Sequence, residues 1–426
     1  MLIEFSVTNY RSISERQTLN LAASDAYSEL ETTNTVADDF EAGAPKLLRS
    51  VAVYGPNASG KTTLIRALEF MQDCVVLSAK ESQAGESIDT VPFKLTERTR
   101  SAPSEFEVTF VEGGVRYNYG FACNALIFTE EWLRAYPNGR PQTWFHRATD
   151  DSGIEHYKFS PKFVTPSLRE SYRDQTTPNS LFLSRATQLN NQQVKPIFDW
   201  FRDRLKIINS SGLSGKFSAR RCELASHRAE ILAFMRAADL SISGIRIEKK
   251  ELVDTDLSDE MSSELKELLV KQMRGEIVLI TKFQHLDVIS NETIEFAHDE
   301  MSDGTRALFA FAGPWLDVLE HNKVLVIDEL DRHLHPLIVH QLVEQFHNTK
   351  SKAQLIFTTH DTTILSQKIL RRDQVWLTEK DKGSATRLYP LSDFSIRENE
   401  AIEKGYLAGR YGGIPILSKL DFYESK

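Results

Sequence analysis

Cysteine is scarce in this 426-residue chain: Cys74, Cys123 and Cys222, with no Cys-x-x-Cys pair among them. That excludes a disulfide scaffold and a zinc site built on thiolates, and it fits a cytosolic protein. Long apolar runs are missing too. None reaches the ~20 residues needed to span a bilayer, so no membrane role is expected. The opening residues, MLIEFSVTNYRS, carry an acid at position 4 and no apolar stretch behind it. They do not read as a secretory leader, and the expected location is cytoplasmic. An excess of positive charge is absent: the formal net charge is −9. This argues against a protein that coats nucleic acid over its whole surface, and leaves a local basic face open. There is no internal repeat and no sustained heptad array, which excludes a long coiled-coil arm. What is there, 41% hydrophobic and 26% charged residues, is ordinary for a globular chain. The length allows one large domain with an insertion or two domains.

Phe5 and Val7 alternate with polar neighbours in LIEFSVTN, which predicts a half-buried strand over 2–9, paired as a hairpin with a second over Thr18–Ala22. Residues 24–46 read as loop. In SVAVYGPNASGKTTLIRALEFM an apolar strand, Val51–Tyr54, runs into a glycine-punctuated loop, then a helix with Leu64, Ile65, Leu68 and Met71 at helical spacing. The 90–135 stretch is β-like, with FEVTFVEGGVRYNYGF reading as two strands around Gly113–Gly114. From 160 to 275 helical periodicity and blocks of charge predict an inserted helical subdomain. α/β grammar then resumes, with strands at Glu276–Thr281, Thr293–Phe296, Val324–Ile327 and Gln354–Phe357 and helices over Thr305–Glu320 and 337–347. The expected division is 1–160 as the first half of an α/β core with a β-lobe, 161–275 as the insertion, 276–395 as the second half of the core, and 396–426 as a tail.

GPNASGKT at 55–62 fits the phosphate-loop pattern without departure, in the strand–loop–helix context that the pattern requires. Its glycines let successive N–H groups of Gly55, Asn57, Ala58, Ser59 and Gly60 turn toward phosphate oxygens, and the helix starting near Lys61, Thr62 and Thr63 adds its dipole. Lys61 is expected on the β and γ phosphates, and the Thr62 hydroxyl on Mg²⁺. VLVIDE at 324–329 reads as a buried strand that ends on two carboxylates: Asp328 for Mg²⁺, Glu329 as general base for a water. Ser302 and Gly304, in SDG at the start of an amphipathic helix, make a second anion site or a plain N-cap. His360, in FTTHD past the end of another strand, can sense a γ-phosphate or be a surface histidine.

In this order the four stretches resemble the ABC-type ATPases of the SMC, RecF and OLD group. The resemblance implies an α/β fold with an ABC-ATPase-like phosphate-loop core, a mixed sheet flanked by helices, an antiparallel β-lobe and an inserted helical subdomain. It implies ATP and Mg²⁺ as cofactors and a homodimer or larger even oligomer that sandwiches ATP, with Ser302 and Gly304 acting across the pair as the signature motif and His360 as the switch histidine. Asp303 stands where the usual signature has glycine; an acid beside a phosphate site implies slow turnover. NYRSI at 9–13, YGPNASGKTTLIRAL at 54–68, DELDRHLHP at 328–336 and YLAGRYGGIP at 406–415 further resemble the RloA and abortive-infection ATPases. These imply an anti-phage switch that controls a Toprim-like nuclease encoded nearby.

The alternatives are a RecF-like repair ATPase that binds DNA directly and a self-contained toxin. Asp331, Arg332 and His335 fall in the loop that crosses between sites in the group, or they are helix caps and surface charge. Arg11 and Ser12 are placed to approach the nucleotide from the first hairpin. Seven cations over 202–228 make either a nucleic-acid surface or a solvated face paired with the acidic block 251–267. The GRYGG stretch is a partner-docking tail or a turn.

Overall fold

The alternation at Phe5 and Val7 and the apolar run at 51–54 become strands of two different sheets. A computed structural model describes residues 1–37, 44–81, 83–137, 139–209, 214–238, 241–251, 277–366, 369–396 and 400–415. In chain order the strands are β1 Leu2–Thr8, β2 Gln17–Asn20, β3 Thr35–Val36, β4 Leu47–Leu48, β5 Ser50–Tyr54, β6 Ser104–Glu112, β7 Val115–Cys123, β8 Phe128–Tyr136 and β9 Gln142–Thr149. There follow β10 Glu155–Phe159, β11 Leu205–Ile208, β12 Gly244–Glu251, β13 Ile277–Leu286, β14 Thr293–Ala297, β15 Val324–Ile327, β16 Gln354–Thr358, β17 Val375–Lys380 and β18 Thr386–Pro390. The chain divides into two compact units: residues 1–210, 321–331 and 339–426 in one, and 211–320 with 332–338 in the other.

The first unit holds two large sheets. One is antiparallel, in the order β10-β9-β8-β7-β6-β1-β2. The other runs β11-β15-β16-β5-β17-β18 and is parallel except for its last pair. β5, β15 and β16 are buried along their whole length, as parallel strands covered on both faces must be. The helix Lys61–Glu81 shares one hydrophobic cluster with both sheets. Its buried residues Leu64, Ile65, Leu68, Met71 and Val75 recur at helical spacing, alongside Phe5 and Val7 of β1 and Val51 and Val53 of β5. Truncating one of these, Leu68→Ala, costs about 2–5 kcal/mol. Gln354, fully buried at the start of β16, accepts the Leu2 N–H (2.6 Å) and donates to the carbonyls of Leu2 and Leu48 (2.9 and 3.1 Å), tying the antiparallel sheet to the parallel one.

The 161–275 stretch, expected as one helical insertion, divides instead. Its helices Pro166–Asp174, Phe182–Gln188 and Lys195–Asp199 lie in the first unit, and β11 within it joins the parallel sheet beside β15. Leu205 and Ile208 are buried there, and a four-residue run is too short for periodicity to reveal a strand. Only from 211 onward does the chain enter the second unit, and β12 there pairs with β13, so that part is not purely helical. The acidic block 251–267 lies outside the described residues beyond Glu251. The expected loop 24–46 contains a short helix, Glu31–Asn34, and β3.

In the second unit the helix Asp303–His321 carries Pro314 in its interior. Proline lacks the N–H that a helix uses. Ser218 inserts into the ladder beside the break: its hydroxyl donates to the Phe309 carbonyl (2.5 Å), accepts the Gly313 N–H (2.9 Å) and lies 3.5 Å from the Ala310 carbonyl, which Pro314 leaves without its i+4 donor. A Cβ on Gly313 would meet the Ser218 Cα at 2.7 Å, so glycine permits this approach.

Candidate functional site

β5 ends at Tyr54 and the chain turns through 55–60 into the helix that starts at Lys61. Gly60 sits at φ +115°, a conformation that L side chains rarely adopt, and a Cβ there would stand 2.2 Å from Thr386 Oγ1. Gly55 is as tightly enclosed: its Cβ would meet Thr378 Oγ1 at 2.2 Å. Hydroxyls from β17 and β18 fasten the loop. Ser59 Oγ shares a hydrogen bond with Thr378 Oγ1 (2.6 Å), and Thr386 Oγ1 donates to the Ser59 carbonyl (2.8 Å). Lys380 Nζ donates to Thr386 Oγ1 (3.1 Å). Asn57 and Ala58 are exposed at the crown of the loop, and Ala58 adopts φ +63°.

Lys61 is buried, and its ammonium donates to the carbonyls of Gly55 (2.7 Å) and Pro56 (3.2 Å). Burial lowers its pKa, while the charges of Asp328, Glu329 and Asp331 act in the opposite direction. Lys61 and the acids of the β15 end are therefore brought into one electrostatic neighbourhood. Thr62 is partly buried in the first turn of the helix. Thr63 Oγ1 accepts the hydroxyl of Ser12 (3.0 Å), and Ser12 Oγ also shares a hydrogen bond with Thr386 (2.9 Å). Arg11 is exposed, with its guanidinium on its neighbour Tyr10 (Nε to the phenol oxygen, 3.2 Å).

Asp328 is buried at the end of β15, where Thr358 Oγ1 donates to its Oδ1 (2.7 Å). The next residue, Glu329, has φ +57°, left-handed for a residue with a Cβ. That kink sends the Glu329 N–H to Thr358 Oγ1 (2.7 Å) and the Leu330 N–H to the Thr358 carbonyl (3.0 Å). Strain of this kind costs about 1–3 kcal/mol. His360, exposed at the end of β16, gives its backbone N–H to Asp331 Oδ2 (3.2 Å). Desolvation lowers the pKa of its ring, the Lys61 charge lowers it further, and the three acids oppose both. Lys61, Asp328, Glu329 and His360 thus gather in the first unit, from loops at the carboxyl ends of β5, β15 and β16, where parallel sheets place their ligand sites.

Ser302 and Gly304 lie in the second unit. Ser302 is exposed, and its hydroxyl accepts the Thr305 N–H (3.2 Å), so it caps the helix Asp303–His321. Asp303 pairs with Arg306 one turn along. A Cβ on Gly304 would stand 3.0 Å from the His333 carbonyl. Beside Ser302 lies an open, mostly apolar groove of about 450 Å³, lined by Leu286, Val288, Ile294, Phe296 and Met301. His335 Nδ1 accepts the Leu337 N–H (3.2 Å) at the start of the helix Pro336–His347.

The cations of 202–228 are split between the units, and most are engaged. Arg202 pairs with Asp199 and Asp203, Arg204 with Glu112, and Arg221 with Asp317 and Glu320, while Arg228 Nε donates to the Cys222 carbonyl. Lys216 and Arg220 are exposed and make no ion pair among the described residues. The described part of the tail is packed against the first unit. Tyr406 stacks edge-on against Tyr54 at 5.8 Å and donates to the Gly413 carbonyl (2.8 Å), and Tyr389 donates to the Tyr411 carbonyl (3.0 Å). Among the described residues no group of three or more His, Cys, Asp or Glu could hold a metal, and no helix is long and apolar enough to cross a membrane. A Mg²⁺ set of Thr62 and Asp328 is not such a cage; it fits an ion that keeps water and phosphate oxygens as its other ligands.

Residues 50–366 match the sequence family described as "AAA domain, putative AbiEii toxin, Type IV TA system". The chain belongs to this family. The AAA-family match takes in the 55–62 loop, the β15 and β16 ends and Ser302, while Arg11 and Ser12 lie outside it. No curated protein matches the chain. Among solved structures it is similar to an SMC head domain from Thermotoga maritima, at 12% identity and a TM-score of 0.40 over 91% of this chain and 98% of that one. An SMC head bound to the C-terminal winged-helix domain of ScpA is 12% identical, with a TM-score of 0.45 over 91% and 97%. An SMC head domain with an extended coiled coil, bound to the C-terminal domain of ScpA from Pyrococcus furiosus, is 11% identical, with a TM-score of 0.38 over 91% and 96%.

Motif reading missed Thr358, Thr378 and Thr386. Their one common signal is a threonine in a strand of the parallel sheet, which is too frequent to single them out.

Proposed function

We propose that this AAA-family chain is a slow ATP-hydrolysing switch. It works as a homodimer or larger even assembly and controls a partner nuclease, Toprim-like and encoded nearby, in bacterial anti-phage defence. The observation that carries the ATPase reading is the strained Glu329, held beside Asp328 by one threonine hydroxyl and within the electrostatic reach of Lys61. In this reading Gly55, Asn57, Ala58, Ser59, Gly60, Thr62 and Thr63 cradle the phosphates. Lys61 leaves the Gly55 and Pro56 carbonyls for the β and γ phosphates. Glu329 takes a proton from the attacking water as the bond between the γ-phosphorus and its bridging oxygen breaks, and His360 faces the γ-phosphate. Thr62 and Asp328 would hold Mg²⁺, which would supply charge neutralisation on the phosphate oxygens.

Ser302 and Gly304 act on the nucleotide of the second copy. That the Ser302 face meets another chain is supported by the apolar groove at its side and by Val288 and Ile289, 94% and 96% exposed at the tip of the β13–β14 hairpin. The RecF-like alternative, direct DNA binding through 202–228, is disfavoured because Arg202, Arg204 and Arg221 are spent on acids of the chain itself. The family's description as a putative toxin favours a second reading, in which the chain is toxic by itself. Expression alone, with Lys61→Ala as control, tests that.

The test of the main reading is mass by light scattering together with phosphate release, for the unchanged chain and Glu329→Gln, with and without ATP. Loss of release with an ATP-dependent rise in mass supports the switch. Absence of both ATP turnover and an ATP-dependent mass change overturns it.

A further inference from the structure

Asp331 follows the kink at Glu329 by two residues, and its carboxylate is used unevenly. Oδ2 accepts the backbone N–H of His360 (3.2 Å), so it ties the chain after β15 to the end of β16. Oδ1 is buried and has no hydrogen-bond partner among the described residues. A buried carboxylate oxygen without a donor costs about 1–3 kcal/mol or more, so one left open at the mouth of a loop cluster calls for a donor that arrives with a ligand. The groups around it narrow the choice. The charge of Asp331 reaches Lys61, His360 and the buried Tyr54 phenol. In this structure Lys61 donates to the Gly55 and Pro56 carbonyls and the Tyr54 hydroxyl to the Asp361 carbonyl (3.1 Å), and neither is hydrogen-bonded to Oδ1. Phosphate oxygens at neutral pH only accept. Ribose hydroxyls and the base amine donate at the far end of a nucleotide; beside the phosphates, the donors that a metal–nucleotide complex holds in place are waters in the shell of its divalent cation.

We propose that Asp331 is a positioning residue that fixes the His360 end of β16 through one carboxylate oxygen and, through the other, accepts a hydrogen bond from a water bound to the cation of a metal–nucleotide complex. The inference rests on the ATP-binding reading above and deepens it by naming an outer-shell residue that neither the magnesium pattern nor the phosphate loop contains. The same side chain would then report cation binding to His360. This makes the metal-bound and metal-free nucleotide complexes differ at the β16 end, where the described tail also attaches through the Thr362 hydroxyl and Glu403 (3.2 Å).

Asp331→Asn is the informative change, because the amide keeps one acceptor for the His360 N–H and replaces the other acceptor with a donor. ATP binding is measured by titration calorimetry in Mg²⁺ and in EDTA, with melting temperature alongside. Asp331→Asn is expected to weaken binding about tenfold in Mg²⁺ while leaving binding in EDTA and the melting temperature unchanged. Asp331→Ala, which also frees His360, is expected to weaken binding in both media. Equal affinity of Asp331→Asn and the unchanged chain in Mg²⁺ overturns the proposal, and so does an equal loss in both media. Lys61→Ala in the same assay separates the two levels: if it binds ATP as tightly as the unchanged chain, the nucleotide reading itself fails. If it loses ATP while Asp331→Asn does not, only the role of Asp331 fails.

Discussion

The Thr358 hydroxyl donates to Asp328 Oδ1 at 2.7 Å and with its lone pair takes the Glu329 N–H at the same distance, so one side chain on β16 sets both acids at the end of β15. Thr358→Val keeps the shape and deletes both bonds. Stability is expected to fall by about 1–3 kcal/mol in urea unfolding, and phosphate release by roughly 100-fold. Thr358→Ser, which retains the oxygen, is expected to recover most of both. A valine variant with full turnover would refute this role.

Glu329 has a left-handed backbone that glycine adopts without strain. Glu329→Gly is therefore expected to be as stable as Glu329→Gln or more stable by about 1 kcal/mol, while both release no phosphate. A clear loss of melting temperature in the glycine variant alone would contradict the strain argument.

Gly60→Ala places a methyl 2.2 Å from Thr386 Oγ1 at φ +115°. The expected cost is about 2 kcal/mol or more, with ATP affinity lost even at temperatures where the chain stays folded. Thr386→Ala is expected to remain folded and bind ATP more weakly, because the Ser59 carbonyl loses its donor. Calorimetric titration distinguishes the two.

His347 is buried with its ring on Ser50 (2.8 Å between Nε2 and Oγ), and burial lowers its pKa to about 3. Between about pH 6.5 and 3 the unfolded chain binds a proton there that the folded chain refuses. Its contribution is complete above about pH 6.5 and falls with pH by up to about 1.4 kcal/mol per unit. His347→Gln is expected to flatten the pH dependence of urea midpoints between pH 7 and 5. An unchanged slope would exclude His347 as its source.

Arg221 is held by Asp317 (3.4 Å) and Glu320 (2.7 Å). Arg221→Ala is expected to destabilise the second unit, whereas Lys216→Glu with Arg220→Glu is expected to stay within about 0.5 kcal/mol of the unchanged chain. Two cations without an ion pair among the described residues release few counterions, so any duplex binding through them should show a log–log salt slope no steeper than about −2. A steeper slope that vanished with the double reversal would restore the nucleic-acid reading.

The strand–loop–helix unit at 50–81 is legible from the chain because it is local. Val51 and Val53, the glycines and the Leu64–Met71 spacing are each decided within a few residues. The β15 and β16 ends are legible for the same reason. The hydroxyls that hold the loop are not: Thr378 and Thr386 come from strands more than 300 residues further on, and no spacing rule links them to Ser59. β11 was hidden inside a stretch rich in charge. Its place beside β15 follows from pairing in the sheet, and four residues carry no usable period.

By itself the sequence determined which segments form the phosphate-loop strand and helix, the acid-bearing strand end and the helix that starts after Ser302, because propensity and periodicity act over one or two turns of chain. The tertiary structure alone decided that Asp331 meets the His360 backbone, that Thr358 bridges Asp328 and Glu329, and that most arginines of 202–228 are paired with acids. Those relations depend on strand order and on which side chains burial brings within hydrogen-bonding distance, quantities that no local pattern encodes.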